Sequence, residues 1–121
     1  MGKHIVIVDD DTDVVENAKL RLEANGYQVS STMGKNTIQD LLKYKPDLIL
    51  LDVLMPEVDG FALIRTLRRD PDLSKVPVII FSARPKEAME QLFGPEGIAG
   101  YIAKPYDPVE MLKEIKKALG S

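Results

Sequence analysis

Acids stand together at Asp9-Asp10-Asp11, another follows an apolar run at Asp52, and Ser82 and Lys104 each close a further apolar run. Carboxylates, a hydroxyl and an amine suit one kind of chemistry if they meet. At about 4 Å and an effective dielectric near 20, each like-charge pair costs roughly 4 kcal/mol. Lys104 alone cannot balance three carboxylates, so the group needs another positive charge. A hard divalent cation completes it, because Mg2+ takes oxygen ligands and keeps positions for water and phosphate oxygens. Such a site suits a phosphoryl group beside a carboxylate nucleophile.

Each residue alone has a plainer reading. Asp9-Asp10-Asp11 read equally well as helix caps, Asp52 as a turn residue and Lys104-Pro105 as loop. Many strands end in a serine like Ser82, and an aromatic like Tyr101 more often packs than switches. The chemical reading therefore depends on the elements that position these residues.

Leu48 to Leu51 is an unbroken apolar run, as in a strand of a parallel sheet covered on both faces. Ile5 to Val8, Val76 to Phe81 and Ile98 to Ala103 read the same way, and Tyr27 to Thr32 alternates like an edge strand. Helical spacing lies between them: Val15, Ala18 and Leu22; Ile38, Leu41 and Leu42; Phe61, Ile64 and Leu67; a short stretch from Pro85 to Phe93; and Val109, Leu112, Ile115 and Leu119. Thr12 or Asp11 caps the first of these, and Asp107-Pro108 opens the last with a cap and a proline at the first helical position. Asn25-Gly26, Pro46, Asp70-Pro71 and Gly94-Pro95-Glu96-Gly97 mark stops. Strands alternating with helices imply βαβ units, right-handed crossovers and an α/β fold with a parallel sheet. The strand ends that carry Asp9, Asp10, Asp52, Ser82 and Lys104 then share one edge, where open α/β sheets place their sites.

The 121 residues, 45% hydrophobic, suit one domain with its own core. Sixteen basic and nineteen acidic residues give a net charge of −3, which disfavours direct nucleic-acid binding. With no cysteine, disulfides and thiolate metal sites are excluded. The apolar run near the N-terminus is too short for a signal peptide, and no run reaches the roughly 20 apolar residues of a membrane helix.

In order and spacing, Val8-Asp9-Asp10, Asp52 to Gly60 (DVLMPEVDG), Ser82-Ala83 and Tyr101 to Pro105 (YIAKP) resemble the receiver domain of two-component response regulators, the chemotaxis-regulator-like family. The likeness spans essentially the whole chain, expected as a single receiver domain over residues 1–121 with a core of about 3–119. It implies a flavodoxin-like, doubly wound (βα)5 fold: a five-stranded parallel sheet of order 2-1-3-4-5 with helices on both faces. It also implies phosphorelay. Asp52 would accept a phosphoryl group from a phosphohistidine of a histidine kinase or phosphotransfer domain. That donor acts in trans, since the sole histidine, His4, begins the first strand and is no plausible site for donating phosphate. Asp10 and Asp52 would bind Mg2+ directly, Asp9 through water, and the backbone carbonyl of Leu54 would be a further ligand.

The resemblance gives Lys104 and Ser82 to the phosphoryl oxygens, a cis bond to Lys104-Pro105, and a switch to Ser82 and Tyr101. The switch would reshape a surface on the fourth helix, last strand and last helix, with Met89, Leu92 and Tyr101 contributing, for a downstream protein the sequence does not name. Leu54 and Arg84 occupy positions that tune hydrolysis and point to slow autodephosphorylation. The implied protein is a cytoplasmic switch that assists its own phosphorylation and dephosphorylation rather than an enzyme, monomeric or dimerising on phosphorylation. A receiver-like interaction module working without phosphorylation is the competing reading, and the intact acid, serine and lysine set weighs against it. An aspartyl phosphatase or phosphotransferase needs an acid where Leu54 stands, and a flavin domain needs a phosphate loop after the first strand.

Overall fold

The apolar runs at Ile5–Val8, Leu48–Leu51 and Val78–Phe81 are fully buried, which only a sheet covered on both faces allows. A computed structural model describes residues 2–53 and 59–120. Its strands are β1 (His4–Val8), β2 (Gln28–Thr32), β3 (Leu48–Leu51), β4 (Val78–Ser82) and β5 (Gly100–Ala103). They form one parallel sheet of order β2-β1-β3-β4-β5. The helices are α1 (Thr12–Ala24), α2 (Thr37–Tyr44), α3 (Gly60–Arg69), α4 (Lys86–Phe93) and α5 (Pro108–Leu119). This is the flavodoxin-like order expected from the resemblance.

Strand alternation divides the core in two. Val6, Val8, Ile49, Leu51, Val78 and Ile80 pack with Leu41 of α2, Ile64 and Leu67 of α3, and Met89 and Phe93 of α4. Ile5, Ile7, Leu48, Leu50, Ile79, Phe81 and Ile102 pack with Val15, Ala18 and Leu22 of α1 and Met111 and Ile115 of α5. Each buried aliphatic side chain contributes on the order of 1.5–3 kcal/mol. Residues i and i+2 of one strand thus serve different helices from residues i+1 and i+3.

The caps set where helices begin at the rim. Asp11, not Thr12, caps α1, its carboxylate accepting from Asp13 N and Val14 N at 3.1 and 3.2 Å. Asp59 caps α3 through Phe61 N and Ala62 N, and Asp107 caps α5 through Val109 N. Gly60 is required by close packing, since a Cβ there would lie 2.7 Å from that of Val53, beside Asp52.

Three expectations about faces change. Val109 is 68% exposed, and Met111 takes its place in the α5 stripe with Ile115. At about 100° per residue, Val109 lies roughly opposite Met111 once Asp107 has fixed the start of the helix. Leu42 is 36% exposed and lies outside the core cluster, leaving Leu41 and Ile38 to face it. Met89, expected at the partner surface, is buried in the core, while Leu92 is exposed.

Candidate functional site

Register brings the chemistry together. Val8 pairs with Leu51 and Leu51 with Ile80, so Asp9 and Asp52 each stand one residue past paired strand ends. Backbone bonds fix them there: Asp9 N donates to Thr32 O and Asp52 N to Val8 O at 2.8 Å. Ser82 pairs with Ala103, and Lys104 N donates to Ser82 O at 2.7 Å, which sets Lys104 beside the same rim. The Lys104–Pro105 peptide is cis.

The side chains converge. Lys104 Nζ lies 2.5 Å from Asp9 Oδ2 and 3.4 Å from Asp52 Oδ2. Asp9 Oδ1 also accepts from Asp11 N at 2.9 Å. Asp9, Asp52 and Ser82 are buried, whereas Asp10 is exposed. Burial pushes the Asp9 carboxyl above the ordinary carboxylate range, and the nearby Asp52 adds to that. The hydrogen bonds from Lys104 and Asp11 N and the charge of Lys104 pull the other way without cancelling it.

Carboxylate oxygens of Asp9, Asp10 and Asp52 all lie within 4.8 Å of one another. The donors are hard oxygens, two of the carboxylates are buried, and the Lys104 ammonium reaches those two. This donor set fits Mg2+ or a similar hard cation rather than a soft metal. The Leu54 carbonyl lies outside the described residues.

Ser82 Oγ accepts from Arg84 N at 3.1 Å, leaving its own hydroxyl proton available to a new acceptor. Tyr101 is half-buried and packs on the core beneath α2, α3 and α4. Burial, with a contribution from Glu90, raises its phenol pKa. His4 sits at the opposite end of the sheet, bonded to Tyr44 O and Ser30 Oγ.

Sequence reasoning missed one neighbour of this group. Phe81 reads as ordinary strand core, yet its ring centroid is 4.9 Å from Lys104 Nζ. A signal was present in the parallel alignment of the two strand ends, which puts Phe81 and Lys104 within one turn of the pleat. That signal becomes usable only once the pairing of β4 with β5 is known.

The family profile of the response regulator receiver domain matches residues 5–116. The chain is 37% identical over 120 residues to the transcriptional regulatory protein GltR of Pseudomonas aeruginosa, covering 98% of this chain and 49% of that protein. It spans about half the length of the curated relatives it matches first. Among solved structures, a signal receiver domain of a signal transduction histidine kinase from Syntrophus aciditrophicus is 35% identical with a TM-score of 0.83, covering 98% of this chain and 91% of that one. The chemotaxis response regulator CheY4 of Vibrio cholerae shares the fold, with a TM-score of 0.88 at 22% identity over 98% of this chain and 99% of that one.

Proposed function

Because the chain belongs to the response regulator receiver domain family, a class of phosphorylation-based signalling switches, we propose that Asp52 is its phosphoacceptor. The observation that carries this reading is the single ammonium of Lys104 reaching both Asp9 and Asp52 at one rim of the sheet. In the transfer, an Asp52 carboxylate oxygen attacks the phosphorus of a phosphohistidine supplied in trans. The P–N bond breaks, a P–O bond forms, and the donor imidazole leaves.

Lys104 pairs with one phosphoryl oxygen and the Ser82 hydroxyl donates to another. Asp10, Asp52 and the Leu54 carbonyl would hold Mg2+, with Asp9 near it through water. When bound, Mg2+ supplies positive charge to the phosphoryl oxygens. Rate enhancement then comes from positioning and charge neutralisation, which the receiver provides itself. Water admitted to the same site hydrolyses the acyl phosphate and resets the switch. Leu54 and Arg84 keep that step slow, the first by restricting water and the second by attracting the phosphoryl group.

Phosphorylation adds charge and acceptor oxygens at Asp52. Ser82 moves toward them and carries its loop, Tyr101 turns inward, and the face of α4, β5 and α5 changes shape for a downstream protein. Leu92 and Tyr101 remain candidates for that face, with Met89 supporting it from inside. In this reading residues 1–121 act as one receiver domain in the cytoplasm, monomeric or dimerising on phosphorylation. No described helix is long and apolar enough to cross a membrane. The net acidic charge leaves any nucleic-acid contact to an effector.

Phosphate-affinity electrophoresis tests the reading, after incubation with acetyl phosphate and Mg2+. Wild type should shift and Asp52→Asn should not. A shift that survives in Asp52→Asn rules out the assignment, and no shift in either favours a module that works without phosphorylation.

A further inference from the structure

Lys104 has a neighbour besides its two carboxylates. Its Nζ lies 4.9 Å from the centroid of the Phe81 ring, inside the roughly 6 Å reach of a cation–π contact. The ring is fully buried and the Lys104 side chain is 15% exposed, so little water screens the attraction. Strand geometry places the two together. Phe81 pairs with Ile102, both lie in the core beneath α1 and α5, and Lys104 follows Ile102 by two residues. Alternation along the strand therefore starts Lys104 on the face that Phe81 occupies. Tyr106 packs against Phe81 at 5.7 Å between centroids and helps fix the ring.

The carboxylates alone make poor anchors for this ammonium during the reaction. Both are candidate partners of a divalent cation, and Asp52 changes charge and shape when it takes a phosphoryl group. The ring has neither conflict: it binds no hard cation and its π face is the same before and after transfer. Resting on the phosphoacceptor reading, we propose that Phe81 is a positioning residue whose ring holds the Lys104 ammonium where the phosphoryl oxygen arrives. Phe81 touches neither substrate nor metal and acts through Lys104. A leucine at this position fills much of the same space but offers no π face.

Fluorinated phenylalanines placed at position 81 test this in the full chain, because fluorine withdraws charge from the π face while nearly preserving ring shape. Beryllofluoride, a phosphoryl mimic, is titrated in the presence of Mg2+, and Mg2+ alone is titrated separately. Beryllofluoride affinity should fall stepwise with fluorine number, by about five-fold at the end of the series, the equivalent of roughly 1 kcal/mol. Mg2+ affinity should stay constant, because the carboxylates are unchanged, while the melting temperature falls by no more than a few degrees as the contact weakens. Phe81→Leu should match the most fluorinated ring in beryllofluoride binding.

Beryllofluoride affinity that is flat across the series, while wild type still binds it, overturns the role of Phe81. Parallel losses of Mg2+ and beryllofluoride also overturn it, since they report a disturbed carboxylate cluster. Wild type that binds no beryllofluoride brings down the phosphoacceptor reading and this inference together.

Discussion

At the N-terminal rim of the sheet, polar groups close on one another. His4 Nδ1 is 3.0 Å from Tyr44 O and Nε2 is 2.8 Å from Ser30 Oγ. The backbone of His4 exchanges bonds with Asp47: its N–H donates to the Asp47 carboxylate and its carbonyl accepts from Asp47 N, both at 2.7 Å. At the C-terminal rim, a few residues along the same strands, the carboxylates of Asp9 and Asp52 converge on one ammonium, with that of Asp10 close by. One rim balances its donors and acceptors locally. The other gathers three carboxylates within 4.8 Å of one another, with the Lys104 ammonium against two of them. The difference separates polar residues that hold the fold from polar residues held by it.

The largest expected effect breaks the C-terminal rim. Lys104→Met removes the ammonium that reaches Asp9 and Asp52 and should slow Mg2+-dependent labelling by acetyl phosphate by about a hundred-fold, as expected for loss of a donor aimed at developing charge. Labelling time courses by intact-mass analysis measure this. A rate within a few-fold of wild type would mean that Lys104 serves only structure.

His4→Ala should act at the opposite rim alone. It strands the Ser30 hydroxyl and the Tyr44 carbonyl, and should cost about 1–2 kcal/mol in urea unfolding. The labelling rate should be unchanged, which sharpens the contrast between the rims. A slowed rate in folded His4→Ala would blur it.

The smallest effect is a change with pH. Burial raises the Asp9 pKa, so folding favours its neutral form. Wild-type stability from this group is then full below the ordinary carboxylate range and is lost as pH rises through the raised folded value. Asp9→Asn stays neutral at every pH, and its single amide oxygen accepts from Asp11 N or from Lys104 but not from both. Without metal, its melting temperature relative to wild type should therefore rise from low pH to neutral pH, because only wild type loses stability as Asp9 ionises. Mg2+ should offset that rise by stabilising wild type through binding. A difference from wild type that does not change with pH would show that folding does not favour the neutral form of Asp9.

The contrast between rims also explains what the sequence could tell. Strand ends were legible because the buried runs Ile5–Val8 and Leu48–Leu51 stop at charged residues, and a parallel sheet puts such stops on one edge. Asp9, Asp52 and Lys104 meet as that logic requires. Strand starts were less legible: β4 begins at Val78 rather than Val76 and β5 at Gly100 rather than Ile98. The run VPVII is equally apolar throughout, and pairing rather than hydrophobicity sets where the ladder begins. Helix faces failed where two apolar residues competed for one stripe, as Val109 did with Met111 and Leu42 with Leu41. The contact between Phe81 and Lys104 was not legible, since it depends on register between strands that sequence spacing does not record.

The most direct measurement of the central claim is to locate the modification itself. Wild type is incubated with acetyl phosphate with and without Mg2+, the acyl phosphate is trapped by borohydride reduction, and the chain is sequenced by tandem mass spectrometry. The account predicts reduction at Asp52, dependent on Mg2+, with Asp9 and Asp10 untouched. Modification at Asp9 or Asp10 instead, or labelling of Asp52 at the same rate without Mg2+, would contradict it.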